Sequence, residues 1–337
     1  MKVAVLAYPR VMTSAVFGIR ELLEVANGYL EREGRRPFHS YVVAAPGAPE
    51  PLAGDAVPIE RDSEVADIII VPPSLADIEP GCEDAQIRAW LKVQADHGTT
   101  LCSVCAGAFL LADAGLLDHR SATTHWALEE RFRRRFPRVH LKTSEMLVDE
   151  GDRITAGGVT AYFDLLLHLI GRYAGPSVAR KVGGHMLVDR QPRQQNPYRQ
   201  FLVSYDHGDE LVIGVQRVLD RDYRLPLRQS ELAKQWGVSD RTLLRRFRRA
   251  TGYAPSQYLQ AVRLERAREL LESTNESLQR ITDRVGYEDV SSFRRLFKES
   301  IGLSPAEYRK RFRHPSSEPQ PTPHWVAEKP GNTDSPA

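Results

Sequence analysis

The chain contains two similar eight-residue phrases fifty residues apart, which share a glycine, a proline and a final tyrosine. The first copy is Thr251-Gly252-Tyr253-Ala254-Pro255-Ser256-Gln257-Tyr258, and the second is Ile301-Gly302-Leu303-Ser304-Pro305-Ala306-Glu307-Tyr308. The similarity extends towards the N-terminus, where Leu243 and Phe247 return as Phe293 and Phe297. A repeated pattern of this kind predicts two copies of one supersecondary unit in succession.

Each copy predicts a short helix, a tight turn at a glycine, and a second helix that stops at another glycine. This is the arrangement of a helix-turn-helix unit. In the first copy, Gly237 is expected to end one helix in the left-handed conformation and Ser239 to cap the next. That second helix, from about Asp240 to Ala250, buries the repeated apolar positions and must turn its arginines outward. A long helix, Ser256 to Glu272, is expected between the copies.

Positive charge is concentrated in the repeated region. Residues 221–314 carry 21 Lys and Arg against 12 Asp and Glu, a net charge of +9, whereas residues 1–220 carry 24 against 29, a net charge of −5. A localised basic surface is what neutralisation of nucleic-acid phosphates requires. The alternative is a basic helical bundle with no nucleic-acid partner, and the duplicated turn pattern disfavours it.

The region of about residues 210–313 resembles the DNA-binding domain of AraC/XylS-type transcriptional regulators. The resemblance is carried by the paired Gly-x-x-Pro-x-x-Tyr phrases and by the preceding Leu-x-Arg-x-Phe and Phe-x-Arg-x-Phe motifs. It implies double-stranded promoter DNA as a partner, with RNA polymerase as a further expected partner. Its two recognition helices would stand about 34 Å apart and reach successive major grooves.

The same resemblance implies which side chains contact DNA. The expected base-reading positions are Arg241, Leu244, Arg245, Val290, Ser291, Arg294 and Arg295. The expected phosphate contacts are Arg248, Arg249 and Lys298. Arginine suits base reading because its guanidinium can bond both acceptors on a guanine edge, and the expected contact of Leu244 is a thymine methyl group. Because the two copies present different side chains, the predicted DNA site is asymmetric.

The N-terminal part of the chain has a different pattern. Short apolar runs at 3–7, 41–44, 68–71 and 100–104 alternate with amphipathic helical segments. Continuous apolar strands separated by helices predict a parallel sheet covered on both faces, an α/β sandwich of about 185 residues. The first strand is followed by Tyr8-Pro9-Arg10 rather than a glycine-rich loop, so no dinucleotide site and no cofactor are expected.

An apolar strand turns directly into a helix at Val104-Cys105-Ala106-Gly107. A side chain at such a corner lies at the carboxyl end of the sheet, beside helix N-terminal amides that favour a thiolate. Cys105 therefore has the position of a nucleophile. Cys102 is an odd number of residues away along the strand and points to the opposite face, which argues against a disulfide or a shared metal, and no metal site is expected.

The segment from Cys105 to Trp126 resembles the ThiJ/PfpI-like, class I glutaminase-type superfamily, and more closely the sensor half of regulators of the GlxA type. This resemblance covers residues 1–188. It implies a flavodoxin-like sandwich with a ligand pocket lined by Cys105, Thr124 and His125. It also places Gly158 and Thr160 at the border of the pocket or of a dimer contact. Their alternative interpretation is a tight turn and a helix N-cap.

Catalysis by Cys105 requires a base within hydrogen-bond reach. Hydrolytic relatives commonly carry a histidine directly after the cysteine, and Ala106 stands there instead. We therefore expect no catalytic residue and no enzyme activity. A cysteine-dependent amidase or deglycase-like enzyme with an attached DNA-binding domain remains an alternative, and so does a cysteine with a purely structural role.

The predicted organisation is an α/β domain at 1–188, a polar linker at 189–209, an all-α domain with two helix-turn-helix units at 210–314 and a disordered tail at 315–337. No apolar run approaches the length of a membrane span, and three cysteines in the whole chain suit a reducing compartment. These features predict a cytoplasmic protein, associated with the nucleoid when bound to DNA, without membrane contact.

Together the patterns predict a sequence-specific transcriptional regulator. Its α/β domain is expected to sense a small-molecule effector, or to mediate homodimerisation, and so to control promoter binding. A third possibility is an α/β domain that only dimerises.

Overall fold

The computed structural model describes residues 1–35, 37–54, 56–59, 64–74, 85–189 and 193–313. Two compact units, Met1–Arg199 and Gln200–Ala337, are described separately below. The division between them falls inside the segment 189–209 that the sequence predicts as the linker. The predicted disordered tail at 315–337 lies outside the described residues, as do Cys82 and His314.

The first unit is built on a seven-stranded sheet. Its strands are β1 (Lys2–Ala7), β2 (His39–Ala44), β3 (Val57–Pro58), β4 (Ile68–Val71), β5 (Thr100–Val104), β8 (Leu147–Asp149) and β9 (Arg153–Ala156), in the order β3-β2-β1-β4-β5-β9-β8. All neighbouring pairs are parallel except β8 and β9. Two further strands, β6 (Ser121–Ala122) and β7 (His140–Leu141), form a separate parallel pair.

Strand β4 is apolar along its whole length and β5 contains only Thr100 and Ser103 as polar residues, because both faces of the sheet are covered. Every residue of β4 and β5 is buried. The helices of this unit are α1 (Thr13–Arg32), α2 (Glu50–Ala53), α3 (Ala85–Asp96), α4 (Gly107–Asp113), α5 (Glu129–Arg135), α6 (Tyr162–Tyr173) and α7 (Pro176–His185). The predicted flavodoxin-like α/β sandwich with a mostly parallel sheet is confirmed.

All the regular secondary structure in the described part of the second unit is helical. Its helices are α8 (Glu210–Arg221), α9 (Gln229–Gln235), α10 (Asp240–Thr251), α11 (Pro255–Ser273), α12 (Leu278–Arg284), α13 (Val290–Ile301) and α14 (Pro305–Phe312). Two separate hydrophobic clusters form around α10 and α13. The long helix α11 contributes Leu259 and Val262 to the first cluster and Leu264 and Ala267 to the second, so it joins the two helix-turn-helix units.

The repeated glycines end the two recognition helices as the sequence predicts. Gly252 follows α10 with φ of 78°, and Gly302 follows α13 with φ of 82°. Residues with a side chain adopt this left-handed conformation only at a cost, which glycine avoids. The prolines of the repeated phrase then occupy the first turns of α11 and α14.

Candidate DNA interface and candidate ligand site

Helix α10 separates its apolar and basic residues onto different faces. Leu243 and Phe247 are fully buried in the first cluster of the helical unit. The exposed cations of the helix are Arg241, Arg245, Arg248 and Arg249. Ser239 fixes the start of the helix, because its Oγ accepts a hydrogen bond from the Thr242 backbone amide at 3.2 Å. The cap and the buried stripe together set which arginines face outward.

Helix α13 repeats this arrangement in the second copy. Phe293 and Phe297 are fully buried, and Asp289 caps the helix by accepting from the Ser292 amide at 2.5 Å. The exposed members of the predicted interface on α13 are Ser291, Arg294, Arg295 and Lys298. Leu244 on α10 and Val290 on α13 are only partly exposed. Each recognition helix therefore has a basic outer face bordered by one partly buried aliphatic residue.

The exposed cations of these faces form no close ion pairs in the part of the chain that the structure describes, although Arg295 and Lys298 help to lower the pKa values of the nearby Asp289 and Glu307. Within the described residues, no ion pair involves Arg241, Arg245, Arg248, Arg249, Arg294, Arg295 or Lys298. Arg246, on the same helix α10, differs: it pairs with Asp209, with 2.9 Å from Nε to Oδ2. A cation that forms no close ion pair is available to a phosphate or a base edge, whereas Arg246 is held by the fold.

Asp209 connects α8, which precedes the first helix-turn-helix unit, to α10 within it, a role that the sequence did not predict. Its Oδ1 accepts from the Val212 amide at 3.2 Å and so caps α8. The same carboxylate holds Arg246, and this hydrogen bond is the main reason why the pKa of Asp209 is lowered. An aspartate directly before an apolar helical run signals the cap, but the partner from α10 could be found only in the folded chain.

The tyrosine that closes each repeated phrase is buried and hydrogen bonded. Tyr258 Oη donates to Asp220 Oδ2 at 3.2 Å. Tyr308 Oη donates to Glu272 Oε1 and accepts from Arg268 Nε at 2.9 Å. These contacts tie each tyrosine to the helix that precedes its unit, α8 or α11. The tyrosines are therefore structural anchors of the repeat and not DNA contacts.

In the α/β unit, Cys105 lies at the sharp turn between β5 and α4 with a φ of 55°. Its backbone amide donates to Ala156 O at 2.7 Å, and its carbonyl accepts from Thr124 Oγ1 at 2.8 Å. Gly107 permits the turn, because a Cβ there would lie 2.5 Å from the Val71 carbonyl oxygen. The predicted corner is present, and Thr124 is brought to it.

The electrostatics of this corner do not favour a thiolate. Cys105 is only 4% exposed, and burial raises the pKa of its thiol to about 12 although the Ala106 amide acts in the opposite direction. The helix amide favours a thiolate as the sequence predicts, but the sequence pattern did not include desolvation, which is the larger effect. Among the described residues, no histidine or carboxylate forms a hydrogen bond with Cys105 Sγ.

His125 follows Thr124 and is partly buried. Its Nδ1 accepts a hydrogen bond from the Ala127 amide at 3.2 Å, so it caps the short 3₁₀ turn Trp126–Leu128. Burial lowers the pKa of the imidazole and so favours its neutral form. The geometry therefore gives His125 a defined structural contact through one ring nitrogen.

The other two predicted lining residues lie in the turn after β9. Gly158 is partly buried and its carbonyl accepts from the Ala161 amide at 3.0 Å, while Thr160 is exposed. The turn interpretation is correct, but the cap interpretation is wrong: the residue before α6 is Ala161, which makes no side-chain cap. Gly157, one position earlier, is the glycine with a close neighbour, since a Cβ there would lie 2.0 Å from Gln195 Nε2.

Gln195 is a buried polar residue within the segment that the sequence predicts as a plain linker. It is 2% exposed, and its carboxamide lies among Thr123, Thr124, Trp126 and Glu145. A polar segment with prolines, such as residues 190–197, indicates only a loop. Nothing in its sequence distinguishes the buried glutamine from the other glutamines beside it.

Comparisons with known proteins agree with both halves. The DJ-1/PfpI family model matches residues 53–172, and a helix-turn-helix domain model matches residues 232–311. The HTH-type transcriptional regulator CdhR of Pseudomonas aeruginosa is 31% identical over 279 residues, which cover 81% of this chain and 82% of CdhR. The HTH-type transcriptional regulator GlxA of Rhizobium meliloti is 25% identical over 291 residues, covering 82% and 86%.

A solved structure, that of an AraC family transcriptional regulator from Pseudomonas putida, covers 55% of this chain and 98% of its own, with 18% identity and a TM-score of 0.45. No helix among the described residues is long and apolar enough to cross a membrane. The sequence similarity extends over more than four fifths of both this chain and CdhR, and it includes the α/β and the helix-turn-helix regions. The protein belongs to the family of transcriptional regulators that join a DJ-1/PfpI domain to an AraC-type helix-turn-helix domain.

Proposed function

We propose that the α/β unit binds a small-molecule effector beside Cys105 and that this binding controls how the helix-turn-helix unit engages promoter DNA. The support is the hydrogen bond from Thr124 to the Cys105 carbonyl, with His125 next in the chain, so that the corner holds a neutral thiol, a buried hydroxyl and an imidazole whose pKa is lowered by burial. Such groups hydrogen bond a ligand without requiring it to carry charge. Gly158 and Thr160 border this corner in the proposal.

For DNA, the proposal assigns base reading to the outer faces of α10 and α13. The single observation that carries it is the contrast between Arg246, which pairs with Asp209, and its neighbours Arg245 and Arg249, which have no ion-pair partner within the described residues. The proposed base-reading set is Arg241, Leu244, Arg245, Val290, Ser291, Arg294 and Arg295, and the proposed phosphate contacts are Arg248, Arg249 and Lys298. Because the two sets of readers differ, the operator should be directional.

The base-reading assignment is tested with a DNA site selected by the wild-type chain from a random-sequence pool. Arg245→Ala and Arg295→Ala should each weaken binding to that site by about 1–3 kcal/mol at fixed salt and relax base preference at one position. Arg221→Ala is the matched control, because Arg221 is an exposed arginine of the same unit outside both recognition helices. Unchanged affinity and unchanged base preference in both variants would refute the assignment.

We also propose that Cys105 binds and does not catalyse. A protonated, buried thiol without a bonded base lacks the activation that nucleophilic catalysis needs. We further propose that the protein is cytoplasmic, contacts RNA polymerase and forms a homodimer, because a promoter-bound regulator of this family acts where transcription begins.

Effector binding is tested by screening the full chain against metabolites by thermal shift, since a ligand of the native state raises its Tm.

A further inference from the structure

The side chain of Gln195 occupies a closed polar cage in the α/β unit. Its Nε2 donates to three oxygens, at 3.1 Å to Thr123 Oγ1, 2.9 Å to Thr124 O and 3.0 Å to Glu145 O. Its Oε1 accepts from the Trp126 backbone amide at 3.0 Å. Three acceptors face the amino group and one donor faces the oxygen, so the cage matches a primary carboxamide. A carboxylate of the same shape would place an acceptor against three acceptors.

The cage is fitted closely to this group. Gly157 forms one wall, and a Cβ at that position would lie 2.0 Å from Gln195 Nε2. The backbone beside the side chain is also fixed, because the Gln195 amide donates to Ser144 O at 2.9 Å. On either side, Arg193 pairs with Asp164 and Arg199 pairs with Glu129. The segment 193–199 is therefore a strap held at several points, with a buried carboxamide near its middle.

The cage shares a residue with the corner at Cys105. Thr124 O accepts from Gln195, and Thr124 Oγ1 donates to the Cys105 carbonyl at 2.8 Å. His125 and Trp126 follow in the chain, and the Trp126 amide holds the carboxamide oxygen. Any displacement of Thr124 by a molecule beside Cys105 therefore acts directly on a hydrogen bond of Gln195.

The strap leads into the helical unit after a very short stretch. Phe201 is six positions after Gln195. Its ring packs edge-on against Tyr258, with 5.1 Å between centroids, and its amide donates to Glu265 Oε2 at 3.4 Å. A buried anchor of one unit and an aromatic anchor of the other are thus joined by a piece of chain that spans at most about 20 Å when extended. Release of Gln195 together with opening of the Arg199–Glu129 pair lengthens the free connection.

We propose that Gln195 is a tethered ligand of a carboxamide-binding site in the α/β unit, and that its seating or release sets the DNA affinity of the helix-turn-helix unit. The site takes a primary carboxamide, from the strap or from a free molecule. Gln195 would thus regulate the effector-sensing function proposed above. That function is needed here only to say which molecule releases Gln195 in the cell. Seating and DNA affinity can be measured without any effector.

The site is tested first by chemical rescue in the full chain. Gln195→Ala removes the carboxamide and leaves the cage empty, so the Tm should fall by several degrees. Acetamide, at a concentration that leaves the wild-type Tm unchanged, should restore most of the loss, and acetate should not. Gly157→Ala also ejects Gln195 but fills the cage, so its Tm should fall without rescue by acetamide. Equal effects of acetamide and acetate on Gln195→Ala would overturn the carboxamide site.

The regulatory part is tested by DNA binding at fixed salt, again on a site selected by the wild-type chain. Gln195→Ala and Gly157→Ala should both change the Kd by about fivefold or more, the lower end of measured allosteric couplings, and acetamide should return only Gln195→Ala to the wild-type value. Arg193→Ala is the control, because it loosens the strap outside the cage and should not respond to acetamide. Wild-type DNA affinity in both cage variants would overturn the device.

Neither measurement contains an effector. A metabolite screen that finds no ligand would refute the sensing proposal and leave the rescue results in place, whereas a failed rescue refutes the tethered ligand while the sensing proposal stands.

Discussion

Arg246 of α10 and Asp209 at the start of α8 form a two-bond ion pair, with 2.9 Å from Nε to Oδ2 and 2.5 Å from Nη2 to Oδ1. This pair removes one arginine from the basic face of a recognition helix and uses it to join two helices. The aspartate also caps α8. One carboxylate therefore performs two structural tasks, which separate substitutions can resolve.

Asp209→Ala should destabilise α8 by about 1 kcal/mol through the lost cap, and it also releases Arg246. Asp209→Asn keeps an acceptor for the Val212 amide and should lose only the ion-pair part. Amide hydrogen exchange of the peptides covering α8 and α10 measures both effects. If Asn and Ala are equally harmful, the cap is not the main contribution.

The pH dependence follows from the lowered pKa of Asp209. A carboxyl group whose pKa is lower in the folded state contributes stability above its unfolded pKa, about 3.9, and loses it as the pH falls through the folded value. The difference in protection between wild type and Asp209→Asn should therefore be full at pH 7 and shrink below about pH 4. A difference that grows on acidification would contradict this sign.

The proposed phosphate contacts should be detectable in the salt dependence of DNA affinity. Arg248→Ala, Arg249→Ala and Lys298→Ala should each weaken DNA binding for all sequences alike and reduce the slope of log K against log salt by about 1. Binding measured from low to moderate salt on a selected site and on a scrambled site gives both quantities. A loss confined to the selected site would move the residue to the base-reading set.

Cys105 should react slowly with alkylating reagents in the folded protein. Burial raises the pKa of its thiol to about 12, so very little of it is ionised at pH 8, and the thiolate is the reactive form. Iodoacetamide labelling, followed peptide by peptide in the mass spectrometer to separate the three cysteines, should therefore modify Cys105 much more slowly than a cysteine in an unfolded peptide. Fast labelling at pH 7 would instead indicate an activated nucleophile.

Gly107 should be intolerant of even a methyl group. Gly107→Ala places a Cβ 2.5 Å from the Val71 carbonyl oxygen, so strand or helix must shift, and the Tm should fall in line with a loss of about 1–3 kcal/mol. Gly28→Ala is the matched control, because Gly28 lies exposed in α1 and a Cβ added there would meet nothing within 4 Å. That change should raise helix stability by about 0.5–1 kcal/mol.

The repeated helical unit could be predicted in detail from the sequence. Its turns depend on local chemistry, such as the left-handed glycines Gly252 and Gly302 and the side-chain cap of Ser239, and this chemistry is visible in neighbouring residues of the sequence. The alternation of apolar strands and helices likewise predicted the parallel sheet, because burial on both faces demands continuous apolar runs. The position of Cys105 at a strand-to-helix corner followed from the same pattern.

The state of the Cys105 thiol depended on the tertiary structure. Helix amides next to the cysteine favour a thiolate, but the packed surroundings remove water from the sulfur, and this desolvation is the larger effect. The different roles of Arg246 and Arg245 also depended on the tertiary structure. Both are arginines of one helix, and only the position of Asp209, far away in sequence, separates a structural cation from an available one.

By itself, the sequence determined the two domains, the helix-turn-helix repeat and its basic faces, because these depend on periodicity, turn residues and local charge. Only the tertiary structure decided which polar side chains are buried together. The cage around Gln195 combines Thr123, Glu145 and Gly157 from three separate segments, and each is ordinary in its own stretch of chain. Complementary donors and acceptors meet there because the sheet and its connections bring distant residues into contact.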